Sequence, residues 1–195
     1  KLLLSSDKRG EARQLLEDYL AKSPDDQALR MLYGQLLVEE EEFSGARDVF
    51  ERLLHNRPKE PDVLFAVGIL SLQLEDTDGA RIYFSRLYET GERRDEAAFY
   101  LGQVEERADN TEAALEWYRK VAGASSMDAR IRIALLTAKA GDLQRAREIL
   151  QQLRDQGPEN AVLLYLVETE ILESVGRSDE AMAIFDSALR TFPDD

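Results

Sequence analysis

The sequence predicts an all-α fold built from stacked helix pairs, and three observations support this prediction. The phrase "GARDVF", which begins at Gly45, returns 34 residues later as "GARIYF" at Gly79. Related phrases recur along the whole chain of 195 residues, and no segment shows the alternating pattern of a strand. Self-similarity at a period of roughly 20 to 50 residues is typical of stacked supersecondary units. We therefore expect each unit to be one helix pair that packs on its neighbours.

An alanine marks the same position in every repeat, and a large apolar residue follows it four positions later. The marker alanines are Ala12, Ala46, Ala80, Ala114, Ala146 and Ala181, with steps of 34, 34, 34, 32 and 35. The large residues that follow them are Leu16, Phe50, Phe84, Tyr118, Leu150 and Phe185. A spacing of four places both side chains on one helical face, which predicts that this segment is the second helix of each repeat.

Small residues and prolines delimit the other helix of each pair. Twelve residues before the later marker alanines stand the small residues Gly34, Gly68, Gly102, Ala134 and Thr169, where we expect two helices to approach closely. Twelve residues after a marker alanine stand Pro24, Pro58, Pro158 and Pro193, and proline ends one helix while permitting the next to start. Five residues before a marker alanine, Gly141 and Gly176 predict tight turns, and Glu41, Glu75 and Asp109 occupy the same position elsewhere.

These markers predict the helices in order. First helices are expected over residues 25–39, 60–74, 93–108, 127–140 and 159–175. Second helices are expected over residues 8–22, 43–56, 77–90, 111–123, 143–156 and 178–192. The short step after Ala114 predicts a shortened turn at Gly123 to Ser126. We expect a single array over residues 1–195, with about five full helix pairs after a leading second helix. The repeats are 1–24 (partial), 25–59, 60–92, 93–126, 127–158 and 159–193.

This arrangement resembles the tetratricopeptide repeat family, whose pattern is an aromatic residue, Leu-Gly and Tyr in the first helix, Ala and Phe in the second, and a closing Pro. The early aromatic position departs from the family, because it holds Arg30, Leu64, Ala98, Arg130 and Tyr165. The resemblance implies a right-handed α-α superhelix, or solenoid, in which the first helices line an inner groove. Neither end of the array has the polar character of a capping helix, so we expect a fragment with further repeats on both sides.

Composition argues against several classes of function. The chain contains no Cys and a single His, His55, and it lacks the glycine and serine motifs of nucleotide-binding proteins and hydrolases. The 39 acidic and 25 basic residues give a net charge of −14, which repels nucleic acids and anionic lipids. The stretch "EDTDGA" contains part of a calcium loop but lacks its first and last ligands. We therefore expect no enzymatic activity, no metal and no cofactor, and we expect His55 to have a structural or solvent-exposed role near a helix end.

The candidate binding surface follows from the small residue of each first helix. Positions three before it and one after it share a stripe, which continues one turn further at the position four after it and should face the inner groove. The candidate partner-binding residues are Met31, Gln35, Phe65, Ile69, Leu72, Phe99, Gln103, Ile131, Leu135 and Leu166. We expect Phe65 and Phe99, with Ile69 and Leu72 between them, to form the centre of a groove that holds an amphipathic polypeptide segment. The alternative is that the stripe is ordinary core between repeats.

The predicted function is a protein-protein interaction scaffold or adaptor. The Cys-free, degenerate array also resembles the repeat region of Gram-negative bacterial tetratricopeptide lipoproteins, one group of which acts as an adaptor for a periplasmic carboxyl-terminal processing protease. That resemblance implies an outer-membrane anchor upstream of Lys1, a periplasmic location, and a protease and its substrates as partners. Alternatives are a self-association module of an envelope assembly, an accessory domain of an enzyme, and a cytoplasmic location. Gln35, Ile69 and Gln103 do not form the cationic clamp of co-chaperones that bind acidic tails.

Overall fold

The computed structural model describes residues 6–123 and 126–192, and these residues form only helices and turns. The chain divides into two compact units, residues 1–108 and residues 109–195, which we refer to as unit 1 and unit 2. The predicted all-α fold is therefore confirmed for the described residues. No helix in these ranges is both long enough and apolar enough to cross a membrane.

Unit 1 contains a leading second helix, two helix pairs and a further first helix, and each helix packs on the next along the chain. They are α1 (Ser6–Lys22), α2 (Gln27–Glu39), α3 (Phe43–Asn56), α4 (Pro61–Gln73), α5 (Thr77–Thr90) and α6 (Arg94–Arg107). The predicted boundaries lie within two residues of the observed ones, because the spacing of the buried positions fixes where each helix must begin and end.

Unit 2 begins with a single short helix, which is followed by two pairs. Its helices are α7 (Thr111–Tyr118), α8 (Ser126–Lys139), α9 (Leu143–Arg154), α10 (Ala161–Ser174) and α11 (Ser178–Thr191). A 3-10 turn over Pro158–Asn160 precedes α10.

The prediction for α7 was wrong at its end, because the helix stops at Tyr118 and does not continue to residue 123. The repeat is two residues short, and the length is lost from this helix, which has 8 residues where α3 and α5 each have 14. The backbone amides of Lys120 and Val121 donate to the carbonyls three residues earlier, at 3.0 and 3.2 Å, so the chain tightens after Tyr118. Part of the predicted short turn, Ala124 and Ser125, lies outside the described residues.

The turn before each second helix from α3 onwards has a left-handed residue at the predicted position. Glu41, Glu75, Asp109, Gly141 and Gly176 all have positive φ, at 61°, 59°, 56°, 95° and 75°. An aspartate then caps some of the second helices: the carboxylate of Asp76 accepts from the amide of Gly79 at 2.9 Å, as the carboxylate of Asp142 does from Arg145 at 3.0 Å. Such side-chain caps satisfy amides that have no partner within the helix.

The core of unit 1 depends on two close approaches between a glycine and a phenylalanine of the same helix pair. A Cβ atom on Gly34 would lie 2.5 Å from the ring of Phe50, and one on Gly68 would lie 2.7 Å from the ring of Phe84. Both rings are buried. The predicted close packing at these small residues is therefore confirmed.

The core of unit 2 forms around α8, α9 and α10. Its buried members are Ala134, Ala138, Ala146, Leu150, Leu153, Leu164, Val167 and Ile171. Ala134 stands where unit 1 has glycine, and the residue that follows Ala146 by four is leucine, so alanine and leucine replace the glycine and phenylalanine of unit 1.

Candidate functional site

A cavity of about 300 Å³ lies between α2, α3 and α4 of unit 1. It is lined by Gln27, Ala28, Met31, Leu53, Arg57, Glu60 and Val63. Leu53 and Val63 are buried and supply an apolar floor, whereas Gln27, Arg57 and Glu60 are polar. This composition is typical of small binding pockets, in which a few polar groups surround an apolar interior.

The polar side of this cavity carries one cation that is largely exposed. The guanidinium of Arg57 lies 3.6 Å from the carboxylate of Glu60, and two thirds of the Arg57 side chain is accessible (66%). An exposed ion pair of this kind contributes little to stability. Arg57 is therefore able to turn towards a carbonyl or carboxylate of a bound molecule at little energetic cost.

The predicted binding residues of unit 1 lie in different environments. Met31 lines the cavity and Gln35 is exposed. Phe65, Ile69, Phe99 and Gln103 are half-buried, and Leu72 is buried in the core. The predicted residues of unit 1 thus differ in accessibility, from exposed at Gln35 on α2 to buried at Leu72 on α4.

Phe65 packs against two further aromatic rings. Its ring meets that of Phe84 edge to face at 6.1 Å and that of Tyr100 at 5.3 Å. The guanidinium of Arg93 lies 3.8 Å from the centre of the same ring. Aromatic pairs and cation-π contacts each stabilise by about 0.5–1.5 kcal/mol. Phe65 therefore joins α4 to both α5 and α6, and these contacts are made without any partner.

Phe99 of unit 1 and the three candidates of unit 2 also differ in how far they are buried. The Phe99 ring lies 5.8 Å from that of Tyr100, with the two planes nearly perpendicular. Ile131 and Leu135 are half-buried and pack against the core of unit 2. Leu166 is 48% exposed on α10 and is the most accessible apolar residue of the predicted set.

Sequence reasoning missed a series of ion pairs that recurs with the repeats. In four repeats an arginine follows the marker alanine, and each bonds a carboxylate that lies 21 to 29 residues further along the chain. The pairs are Arg13 with Glu40 at 2.9 Å, Arg47 with Asp76 at 2.8 Å, Arg81 with Glu105 at 2.6 Å and Arg147 with Glu168 at 2.7 Å. The hydrogen bond that Arg81 donates to Glu105 raises the pKa of Arg81, and burial opposes that effect. The Ala-Arg pair that these four repeats share contained the signal for this series.

His55 lies at the end of α3, where it was expected. Its Nδ1 atom lies 3.0 Å from the backbone carbonyl of Glu51, and its side chain is otherwise exposed. An imidazole near a helix end commonly contacts a terminal carbonyl in this way. Within residues 6–123 and 126–192, no group of three or more acidic or histidine side chains is arranged to hold a metal ion.

Two family models for the tetratricopeptide repeat match the chain. One matches residues 3–66 and 137–195, and the other matches residues 65–129. A curated relative, the TPR repeat-containing protein PA4667 of Pseudomonas aeruginosa, is 32% identical over 83 residues. That match covers 42% of this chain but only 14% of the relative's length.

Several solved structures are similar across most of the chain. A tetratricopeptide repeat protein from Parabacteroides merdae has a TM-score of 0.76 at 19% identity, over 93% of this chain and 73% of that one. MamA has a TM-score of 0.71 at 20% identity, over 86% and 92% of the two chains. YrrB, described as a TPR protein with an unusual peptide-binding site, has a TM-score of 0.66 at 16% identity, over 92% and 93%. The fold is therefore that of the tetratricopeptide repeat solenoids, as the sequence predicts.

Proposed function

Because the chain belongs to the tetratricopeptide repeat family, we propose that it is a non-catalytic scaffold that binds segments of partner polypeptides. Proteins of this family are general protein-interaction scaffolds, and the fold is typically not catalytic. The observation that carries the proposal is the cavity between α2, α3 and α4, where Met31 of the predicted stripe lines an accessible apolar space.

The size and lining of this cavity favour one large apolar side chain as its occupant. At about 300 Å³ it lies at the lower end of the range of roughly 300–1,000 Å³ for ligand pockets. Binding energy at protein interfaces concentrates in a few anchors of this kind. The partner segment therefore places an apolar anchor on Leu53 and Val63, while Arg57 meets a backbone carbonyl or an acidic side chain beside it.

We also propose which partners the chain binds. We propose an adaptor that presents substrates to a carboxyl-terminal processing protease, in the periplasm and close to the outer membrane. The resemblance of the Cys-free repeat array to bacterial tetratricopeptide lipoproteins supports this role. The candidate binding residues of unit 1 are then Met31, Gln35, Phe65, Ile69, Leu72, Phe99 and Gln103. Ile131, Leu135 and Leu166 are separate candidates in unit 2.

A peptide library tests the binding function without knowledge of the natural partner. We would select binders to the whole chain from a random peptide library and measure the affinity of a selected peptide by fluorescence anisotropy. The selected peptides should share a large apolar residue. The Ala28→Phe variant, which fills the mouth of the cavity, should bind at least tenfold more weakly because the anchor is excluded.

Leu32→Phe provides the matched control. Leu32 lies one turn further along α2, is about half exposed at 51%, and does not line the cavity. This variant should bind within twofold of the parent chain. If no peptide is enriched, or if both variants bind a selected peptide as the parent does, the cavity is not the binding site.

A further inference from the structure

A second cavity lies in unit 2, in a groove between α9 and α11, and its volume is about 550 Å³. Most of the side chains that line it are polar, in contrast to the cavity of unit 1. The charged members of the lining are Arg147, Arg154, Glu148 and Glu168. Because two arginines are balanced by two glutamates, the lining carries no net charge. The groove is therefore suited to a ligand that is polar but neutral.

The arginines of this groove are already paired with carboxylates of the chain. Arg147 donates from Nε to Glu168 at 2.7 Å and from Nη1 to Glu180 at 3.3 Å. Nη1 of Arg154 lies 2.7 Å from Glu168, and the guanidinium of Arg154 lies 4.6 Å from the centre of the Tyr165 ring. An anionic ligand would compete with these carboxylates, whereas a neutral ligand leaves the pairs in place.

The equivalent groove of unit 1, between α3 and α5, holds a tyrosine of the chain itself. Tyr83 stands three residues after the marker alanine of α5, and its hydroxyl donates to Glu51 of α3 at 3.0 Å. The guanidinium of Arg86 lies over the same ring, 5.3 Å from its centre. Nε of Arg47 lies 3.8 Å from the carboxylate of Glu51. This groove therefore holds a phenol whose hydroxyl bonds the facing helix.

The leading helix α1 shows the same preference for a phenol. Glu17 stands five residues after its marker alanine, as Glu51 does, and the hydroxyl of Tyr33 donates to it at 2.8 Å. Nε of Arg13 lies 3.3 Å from the same carboxylate. Tyr33 belongs to a first helix and Tyr83 to a second helix, so two different elements supply the phenol. The surface formed by these second helices therefore accepts a tyrosine side chain from more than one direction.

In unit 2 the corresponding groove lacks this tyrosine. Ile184 and Ser187 of α11 stand where α5 has Tyr83 and Arg86, and both are smaller than the residues that they replace. The arginine that follows the marker alanine is retained as Arg147. The cavity is lined by both of the smaller side chains. It therefore lies where the phenol of unit 1 has no counterpart in the chain.

We infer that the groove between α9 and α11 binds a tyrosine side chain of a partner polypeptide, in the way that the groove between α3 and α5 holds Tyr83. The aromatic ring lies on Ile184, and the hydroxyl donates to Glu148, whose side chain lines the groove and is 46% exposed. Glu148 accepts hydrogen bonds from Gln144 and Arg145 at 3.3 and 3.0 Å. A carboxylate can accept further donors beside these two.

The hydroxyl distinguishes tyrosine from phenylalanine at this site. A phenylalanine ring in the groove would cover Glu148 without supplying a donor, and a polar group that is covered without a hydrogen bond is costly. Tyrosine combines an apolar ring with a polar tip, which is why it is common at protein interfaces.

This site differs from the proposed peptide cavity of unit 1 in its lining and in its ligand. It is built around the second helices α9 and α11, whereas the cavity of unit 1 includes Met31 of the first-helix stripe. Either proposal can fail without the other, because the first requires an apolar anchor and the second requires a phenol hydroxyl.

Two short peptides test the inference on the whole chain. One has a single tyrosine with two glycines on each side and blocked ends, and its control has phenylalanine in place of tyrosine. In an NMR titration the tyrosine peptide should shift the backbone amide signals of α9 and α11 in a saturable way. The phenylalanine peptide should bind at least fivefold more weakly, because it cannot donate to Glu148.

Two variants that add the same side chain to α11 locate the binding. Ile184→Tyr places a phenol of the chain in the groove, as in unit 1, and should weaken binding of the tyrosine peptide at least tenfold. Ala183→Tyr adds a phenol at an exposed neighbour that does not line the groove, and should change the affinity less than twofold. Circular dichroism of both variants checks that they are folded.

The inference would be overturned by the absence of saturable binding, by equal binding of the two peptides, or by an equal effect of the two variants. Shifts confined to α2, α3 and α4 would also overturn it, because the tyrosine would then occupy the cavity of unit 1.

Discussion

The hydrogen atom of Gly68 faces the ring of Phe84, and this contact sets how closely α4 and α5 approach each other. A Cβ atom at Gly68 would lie 2.7 Å from two carbons of a ring that is fully buried. The ring cannot move away without disturbing its stacking on Tyr100, whose ring centre is 5.0 Å away. Gly68→Ala should therefore lower the free energy of unfolding by about 1–3 kcal/mol, which is the usual cost of overpacking a core.

Gly10 offers the matched control for this prediction. It lies within α1, and a Cβ atom there would have no neighbour within 4 Å. Gly10→Ala should raise the free energy of unfolding by up to about 1 kcal/mol, because alanine favours helix. Urea unfolding of the two variants compares them directly. If the Gly68→Ala protein is as stable as the parent, steric contact with Phe84 does not explain why this position holds glycine.

At the residue scale, the sequence allowed the close approaches to be predicted but not the ion pairs. Gly68 and Phe84 are linked by a fixed spacing, and that spacing determines which helical faces they occupy. Arg81 and Glu105 have no such relation, because they lie on helices of different repeats. Their pairing depends on how one helix pair is seated on the next, which the spacing within one helix does not specify.

At the scale of the elements, the turn inside each helix pair determines where the second helix begins. Glu75 has φ of 59°, a conformation that costs a residue with a Cβ atom about 1–2 kcal/mol. Gly141 has the same role in unit 2, with φ of 95°. Glu75→Gly should therefore raise the free energy of unfolding by about 0.5–1 kcal/mol, since part of the gain is offset by the greater freedom of glycine in the unfolded chain.

Glu11→Gly is the control for the turn prediction. Glu11 is an exposed residue within α1, so the same substitution there should destabilise the chain by about 1 kcal/mol. Thermal or urea unfolding of both variants gives the comparison. Destabilisation by both substitutions would indicate that the left-handed turn residue is not strained in the folded protein.

Helix boundaries were predictable because the period of the markers constrains both ends of each element. The exception is α7, for which the short step after Ala114 indicated a shortened connection but not which element would lose the length. The helix itself lost it, ending at Tyr118. Ala114 and Tyr118 are the buried residues of this helix, and the backbone hydrogen bonds that follow Tyr118 are those of a turn.

At the scale of the whole molecule, the net charge of −14 is compatible with folding because arginines are placed between the repeats. The same net charge disfavours nucleic acid as a partner. It favours polypeptide partners whose contacts with the chain are apolar or confined to a small area.

The binding surface could be predicted only in part. Met31 and Phe65 occupy the same position in their helices, yet Met31 lines a cavity while Phe65 is packed between two other rings. Helical spacing predicts the face of the helix on which a residue lies, but it does not predict which neighbouring side chain covers that residue.

The central claim is that the chain holds a partner segment by an apolar anchor in the cavity between α2, α3 and α4. Chemical-shift mapping by NMR tests it most directly, with the full chain labelled at its methyl groups and titrated with a peptide selected from the library. If the cavity is the binding site, the largest changes will fall on the methyl groups of Met31, Leu53 and Val63. Saturable binding that leaves these three signals unchanged, or that moves only signals of residues 109–195, would contradict it.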